Sequence, residues 1–141
     1  MSVRSVWIFM VAMCVSASAC DRTGPSDLTA GLAGNWFGNV ESNLAGNGSI
    51  QARFDEKLTG TWEASLPAET RSGTVGGSRS GSRISLFFAP AASTTCGAGV
   101  TLSGTMAFTG SVSATRIDGT FVRFVCTGAE SGTMSLQRIG N

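Results

Sequence analysis

The sequence predicts an all-β protein, an eight-stranded antiparallel up-and-down β-barrel that follows a removable N-terminal signal. Three observations predict this fold. A motif of the form apolar–any–Gly–Thr–apolar recurs along the chain, large apolar residues alternate with hydroxyl residues, and only 13% of the 141 residues are charged while 19 are glycine. Alternation with a period of two is typical of strands with one buried and one wet face, and abundant glycine is typical of tight turns between strands.

The first 19 residues have the organisation of a secretory signal peptide. Arg4 supplies a positive charge, residues 6–15 are an apolar run, and small residues follow as far as Cys20. The run is shorter than the roughly 20 residues that cross a bilayer, so it indicates a cleavable signal and not an anchor helix. We therefore expect a signal at 1–19, a flexible tether at 20–32 and the barrel domain at 33–141.

The residues before Cys20 are compatible with two processing routes. Ala17, Ser18 and Ala19 satisfy the small-residue rule for ordinary signal cleavage. The same stretch resembles a bacterial lipobox, in which the cysteine is diacylated and becomes the new N-terminus. That resemblance implies a protein of the cell envelope, on the periplasmic or cell-surface side, held on the membrane by the lipid on Cys20. Free secretion is the alternative.

The repeated motif predicts where the strands lie. Its glycines are Gly60, Gly104 and Gly119, with weaker copies around Gly73 and Gly132, so that a typical interval is about 14 residues. One strand and one turn have this length, as in a meander. The alternation predicts strands at about 33–41, 46–54, 57–66, 70–79, 82–89, 99–108, 115–125 and 130–139. Closing them into a barrel removes the sheet edges, and inward glycines allow the strands to coil sharply.

Cys96 and Cys126 remain for a disulfide after the signal is removed and the lipid is attached. A hairpin of the predicted strands 99–108 and 115–125 turns near residue 111, which is also the midpoint between the two cysteines. Both cysteines then lie at the open end of that hairpin, within bonding distance and in a compartment that permits disulfides. The chain has no histidine and these cysteines lack C-x-x-C spacing, so no metal site is expected.

Gly34, Asn35 and Trp36, on the first predicted strand, resemble the G-x-W signature of the lipocalin and avidin group of eight-stranded meander barrels. In lipocalins the tryptophan lies near the closed end and is covered by an arginine from the last strand, a role that the resemblance gives to Arg138. The chain is also similar to small uncharacterised bacterial lipoproteins with repeated LTGTW-like strands, as at residues 58–62. The first resemblance implies a lipocalin-like barrel, and the second implies no activity.

Composition and motifs indicate a non-catalytic protein without a cofactor. The chain has no histidine and no tyrosine, and no serine lies in G-x-S-x-G, so the commonest acid–base residue is missing and a triad has no base. Two carboxylates could still pair as in glycosidases. Without Arg4, nine basic residues balance nine acidic ones, which argues against binding to nucleic acid or to an anionic lipid surface. The acidic residues mostly fall on outward positions or in turns; examples are Glu41, Asp55, Glu63, Asp118 and Glu130.

Two arginines are the sharpest candidates for a binding site. The predicted inward positions include Arg123 and Arg71, at the barrel end that carries the cysteines and is closed by a long loop at about 90–98. Inward acidic partners are hard to find there, and a buried unpaired guanidinium is costly. One hypothesis is that these arginines hold the acidic or polar head of a ligand against an apolar wall of Val40, Trp62, Leu66 and Phe88. The alternative is that Arg123 reaches solvent at the rim or is turned outward by a bulge.

The inward aromatic residues also have two interpretations, because an eight-stranded barrel is only just wide enough for its own side chains. The leading expectation is non-catalytic binding of a small apolar or amphiphilic ligand within the barrel or at its mouth. In the alternative, Trp62, Phe88, Phe108 and Phe121 fill the lumen, and the barrel is a surface interaction or structural module that contacts a protein or an envelope polymer. A cavity open at the Cys96 end favours ligand binding, whereas a packed lumen with exposed apolar residues such as Phe37, Phe87 and Ala89 to Ala92 favours the alternative.

Overall fold

The computed structural model of the protein describes residues 31–140, which form a closed antiparallel β-barrel of eight strands, as predicted. Its strands are β1 Gly34–Ser42, β2 Gly46–Phe54, β3 Thr59–Ser65, β4 Thr70–Ser80, β5 Arg83–Pro90, β6 Thr94–Thr95, β7 Thr101–Leu102, β8 Met106–Val112, β9 Arg116–Val125 and β10 Gly128–Ile139. The predicted signal, most of the tether and Cys20 lie outside the described residues. Within them, no helix is long and apolar enough to cross a membrane.

The barrel is a meander in which β10 closes the sheet by pairing with β1. The order around the wall is β1-β2-β3-β4-β5-β8-β9-β10, and β6 and β7 form a separate two-stranded hairpin. We call the end where β1 begins the entry end, and it holds the turns at 55–58, 81–82 and 113–115. The opposite end, called the disulfide end, holds the turns at 43–45, 66–69 and 126–127 and the long connection 91–105.

Apolar side chains from alternate strand positions fill the barrel, as the period of two predicts. Trp62 and Phe88 contact edge to face with ring centroids 5.7 Å apart, and Phe88 and Phe108 do so at 6.4 Å. These three residues and Phe121 are each at most 4% exposed. The arrangement of the rings therefore agrees with the filled-lumen interpretation of these residues.

The segment before β1 closes the entry end. Leu32 is buried, and its carbonyl oxygen accepts a hydrogen bond of 2.9 Å from the indole nitrogen of Trp36. Arg138 of β10 pairs with Trp36 in the β1–β10 register, lies over its ring with Cζ 5.8 Å from the centroid, and donates to the carbonyl oxygen of Ala33. The pair expected from the G-x-W resemblance is present, and the barrel is consistent with a lipocalin-like fold.

The sixth barrel strand differs from its predicted position. The sequence predicts a strand at 99–108, whereas β8 begins at Met106 and ends at Val112. Gly104 has a φ of +66°, in the left-handed region that interrupts a strand, so the residues before it belong to the 91–105 connection. The β8–β9 turn consequently lies at 113–115 and not near residue 111.

Cys96 and Cys126 form the predicted disulfide, with Cα atoms 5.3 Å apart. Both cysteines lie at the open end of the β8–β9 hairpin, as predicted, but they are not symmetric about its turn, because Cys126 directly follows β9 whereas Cys96 lies ten residues before Met106. Cys96 lies in the 91–105 connection, and Cys126 lies in the turn between β9 and β10. The bond therefore fastens the longest connection of the barrel to the disulfide end.

Gly132 lies at an inward position of β10, where the neighbouring backbone leaves no room for a side chain. A Cβ atom there would lie 1.8 Å from the carbonyl oxygen of Glu41 and 2.8 Å from a ring carbon of Phe121. Because the oxygen belongs to a strand backbone, we expect Gly132→Ala to lower the free energy of unfolding by about 1–3 kcal/mol. Urea unfolding measures this loss.

Gly97→Ala is the matched control, since a Cβ at residue 97 would meet no atom within 4 Å. Its effect on the free energy of unfolding should stay within about 0.5 kcal/mol. Equal losses in the two variants would contradict the close strand approach at Gly132.

Candidate functional site

The six residues predicted to line a ligand site face the barrel interior. The apolar members are at most 7% exposed and belong to the hydrophobic core; they are Val40, Trp62, Leu66 and Phe88. Arg71 is the first inward residue of β4, and Arg123 lies near the end of β9. Both side chains are therefore at the disulfide end. The side chains of these two arginines are 6% and 13% exposed, which shows that Arg123 lies inside the rim and does not extend into solvent.

A buried carboxylate lies between the two arginines. Glu130 is 1% exposed, and its Oε1 accepts hydrogen bonds from Arg71 Nη1 at 3.1 Å and from Ser42 Oγ at 2.6 Å. Its Oε2 accepts from Arg123 Nε at 2.6 Å and from Arg71 Nη2 at 3.3 Å. Glu69 also pairs with Arg71 and lies 3.7 Å from Arg123 Nη2. We call these five residues the ion-pair network.

The prediction that Glu130 lies outward or in a turn is wrong, as is the view that inward acidic partners are lacking. β10 begins at Gly128, so Glu130 already lies in the strand and shares the inward face of Gly132 and Met134. The inward position of Glu130 could have been predicted from the sequence, because the alternation of Gly132, Met134 and Leu136 reaches Glu130 when it is continued backward by two residues.

The network keeps its buried groups ionised. Burial alone would raise the pKa of Glu130, but hydrogen bonds from Ser42, Arg71 and Arg123 outweigh it and hold the pKa below the ordinary value of 4.5. Burial would likewise lower the pKa of Arg71, and its bonds to Glu69 and Glu130 raise it instead. The two guanidinium charges are thus balanced by two carboxylates of the protein itself.

The ion-pair network connects distant parts of the barrel wall. Ser42 ends β1 and also accepts hydrogen bonds from the amides of Leu44 and Ala45, so it ties the β1–β2 turn to Glu130 of β10. Arg71 adds β4 to the same carboxylate. The network therefore acts as a polar plug, and an anionic ligand would compete with Glu130 for its cations. Among residues 31–140, Arg71 Nε is the buried side-chain nitrogen without a hydrogen-bond partner.

A small cavity of about 290 Å³ lies beside the plug, under the 91–105 connection. Arg123 and Glu69 form its charged edge, while Leu102 and Phe124 supply apolar surface and Cys126 lies in its wall. A short amphiphilic group matches this lining in chemical character. Among residues 31–140, no cluster of three or more acidic or cysteine side chains is arranged to hold a metal ion.

The outer wall carries an uncharged apolar stripe over β5, β8 and β9. Phe87 pairs with Ala107, and Ala107 pairs with Val122, so the three side chains form one row; Phe124 follows on the same face of β9. Phe87, Val122 and Phe124 are 56%, 41% and 68% exposed. We call these four residues the outer stripe, and their outward neighbours are small or hydroxyl residues, such as Thr105, Thr109, Thr120 and Ser131.

The wall over β1 to β4 has a different chemical character. A shallow groove of about 740 Å³ crosses these strands on the outside of the barrel, and its outward side chains include Gln51, Arg53, Thr61 and Glu63. Polar and charged groups cover most of this side, where Phe37 and Ile139 are exposed apolar side chains that do not pair with one another. The outer stripe is the side on which exposed apolar residues form one row across neighbouring strands. The sequence indicates Phe87 as an exposed apolar residue, but the row that it forms with Ala107 and Val122 depends on strand order and register.

Comparisons with protein-family models, with curated proteins and with solved structures found no match to the chain.

Proposed function

We propose that the protein is a non-catalytic module of the cell envelope, anchored through a lipid on Cys20, whose filled barrel presents its outer wall to a protein partner. The observation that carries this proposal is the contrast between a lumen occupied by buried side chains and an exposed, uncharged row of Phe87, Ala107 and Val122. Contiguous exposed apolar surface marks interaction sites, and the centres of protein interfaces are poor in charge and rich in aromatic rings.

Packing inside the barrel favours the outer wall over the lumen as the place of function. A ligand in the lumen would have to displace Trp62, Phe88 or Phe108, whose rings contact one another edge to face. Exposing one such side chain costs about 1.5–3 kcal/mol. The plug around Glu130 and the closure by Leu32 add barriers at the two ends.

The proposed location in the envelope rests on the sequence. The signal at 1–19 and the small residues before Cys20 support export followed by acylation, and free secretion is the alternative. The Cys96–Cys126 disulfide fits an oxidising compartment such as the periplasm or the cell surface.

Site-specific photo-crosslinking in the native host tests the proposed interface. A photoreactive amino acid replaces Phe87 or Val122 in the stripe, and the control positions are Thr61 and Ser72, which are outward residues of β3 and β4 with polar neighbours. We expect both stripe positions to yield the same adduct with another protein and both control positions to yield none. Equal adducts from all four positions, no adduct from the stripe, or an adduct with a second copy of this chain would overturn the proposal.

Binding of a small amphiphile at the mouth is the second candidate function, favoured by the 290 Å³ cavity beside Arg123. Titration with decanoate, followed by amide NMR shifts, tests it. Saturable shifts confined to residues 102–104 and 123–127 would support a mouth site, whereas shifts scattered over the barrel or confined to the outer stripe would argue against it.

A further inference from the structure

Charge is unevenly distributed between the two ends of the barrel, although the domain is nearly neutral. The entry half contains six basic residues, Arg53, Lys57, Arg79, Arg83, Arg116 and Arg138. Its three acidic residues are Asp55, Glu56 and Asp118. The disulfide half has the opposite balance, with Arg71 and Arg123 against Glu41, Glu63, Glu69 and Glu130. The entry half is therefore net positive, and the disulfide half is net negative.

The cations of the two halves also differ in their availability. Both arginines of the disulfide half are buried in the ion-pair network, and at the entry end Arg116 pairs with Asp118. Four other entry-end cations have no acidic side chain within 4.0 Å in the described part of the chain. They are Arg53 on β2, Lys57 in the β2–β3 turn, Arg79 on β4 and Arg83 on β5. These four occupy neighbouring strands on one side of the entry end.

The polypeptide reaches the barrel at this same positive end. Leu32 closes the entry end, and the chain makes twelve residue-to-residue steps from Cys20 to Leu32. A fully extended chain spans at most about 3.6 Å per residue, so a lipid on Cys20 keeps the entry end within about 43 Å of the membrane. The disulfide end lies on the far side of the barrel.

We propose that the entry end docks on a membrane surface of anionic phospholipids and thereby orients the anchored barrel with its disulfide end facing away. The balanced net charge of the sequence argues against such binding by the domain as a whole, but it does not take account of the separation of charge between the two ends. This inference rests on the proposed anchoring through Cys20. Each arginine or lysine near an anionic surface adds only a modest attraction, and Asp55 and Glu56 oppose it. A tether keeps the surface at high effective concentration, so a weak attraction is enough to select one orientation.

Energy transfer on vesicles tests the orientation independently of acylation in the cell. A chain of residues 20–141 contains the whole hydrophobic core, Leu32 to Leu136, and its Cys20 thiol is coupled to a maleimide lipid. A donor dye is attached through an azido amino acid at Ser82, in the entry-end turn 81–82, or at Ala68, in the disulfide-end turn 66–69. The acceptor lies in the lipid headgroups.

On vesicles that contain phosphatidylserine, we expect transfer from position 82 to exceed transfer from position 68 about threefold, because a barrel strand separates the two positions by about 30 Å. The ratio should be smaller on pure phosphatidylcholine, and on the anionic vesicles at high salt, where the tether at the entry end alone keeps it above one. Arg79→Gln with Arg83→Gln should lower the ratio on anionic vesicles to its value on phosphatidylcholine. The matched control, Ala92→Glu with Thr127→Glu, makes the same change in net charge at the disulfide end and should leave the ratio unchanged.

A ratio that is equal on neutral and anionic vesicles, or unchanged in the Arg79→Gln and Arg83→Gln variant, would overturn the docking proposal. Mass spectrometry of the protein from its native envelope tests the anchor separately. An unmodified Cys20 there would overturn the anchoring proposal, while the vesicle ratio alone decides whether the entry end recognises anionic lipid.

Discussion

Glu130→Ala is expected to lower the free energy of unfolding by about 3–5 kcal/mol, because it removes one partner of a buried ion pair. Arg71 and Arg123 would keep their buried guanidinium groups but lose the carboxylate that accepts hydrogen bonds from both. Ser42 would lose its acceptor in the same step. Water cannot readily replace these partners, since Glu130 is 1% exposed.

Urea unfolding of Glu130→Ala beside Glu69→Ala measures the effect with an internal control. Glu69 also pairs with Arg71, but its side chain is 44% exposed, so its removal should cost no more than about 1 kcal/mol. If Glu130→Ala does not fold, Glu130→Gln removes the charge while keeping the side-chain shape. A loss below about 1 kcal/mol for both Glu130 variants would contradict the role of the plug.

The same network predicts how stability depends on acid. The pKa of Glu130 is lower in the folded protein than its ordinary value of 4.5, and the pKa of Glu69 is lowered by its bond to Arg71 against the effect of burial. Their stabilisation is fully present above the ordinary pKa and is lost as the pH falls through the lower folded values. Glu130→Gln should therefore flatten the decline in unfolding free energy below about pH 4.5.

Loss of the disulfide has the second large expected effect. Replacing both Cys96 and Cys126 by serine opens a loop with a sequence separation of 30 residues. The unfolded chain then gains freedom, and the chain-entropy argument gives a loss of about 3–4 kcal/mol in unfolding free energy. The 91–105 connection should also exchange its amide hydrogens faster, because most of its residues are exposed and the bond fastens it to the barrel.

Parallel unfolding of the oxidised protein, the reduced protein and the double serine variant checks this prediction. The reduced and serine forms should have equal stability, and reductant should leave the serine variant unchanged. Equal stability of the oxidised and reduced forms would contradict it.

The alternation of apolar and hydroxyl residues predicts most of the strands, but it does not predict the bounds of β8. The motif around Gly60 lies in β3, and the similar motif around Gly104 interrupts the chain with a positive φ. Short motifs with the same residue types therefore adopt different backbones. A period of two cannot distinguish these cases, because glycine adopts extended and left-handed conformations about equally readily.

The residues of the candidate sites also differ in whether the sequence of a single strand predicts their positions. The inward positions of Arg71 and Arg123 follow from alternation within single strands, and the structure confirms both. Their partner Glu130 is the first residue of the predicted strand 130–139, and it was missed because the inward positions of Gly132 and Met134 were not continued to that residue. The outer stripe depends on the pairing of Phe87, Ala107 and Val122 across three strands, and register of this kind is not encoded in any one segment.

Native mass spectrometry of residues 21–141, purified gently from an oxidising compartment, tests most directly whether the barrel is filled by its own side chains. We expect the mass of the polypeptide alone, lighter by the two hydrogens of the Cys96–Cys126 bond. A stoichiometric small molecule that stays bound would contradict the outer wall as the place of function. Its loss on substitution of Arg123 by lysine would place it at the mouth, whereas its retention in that variant would place it in the lumen and contradict the filled barrel.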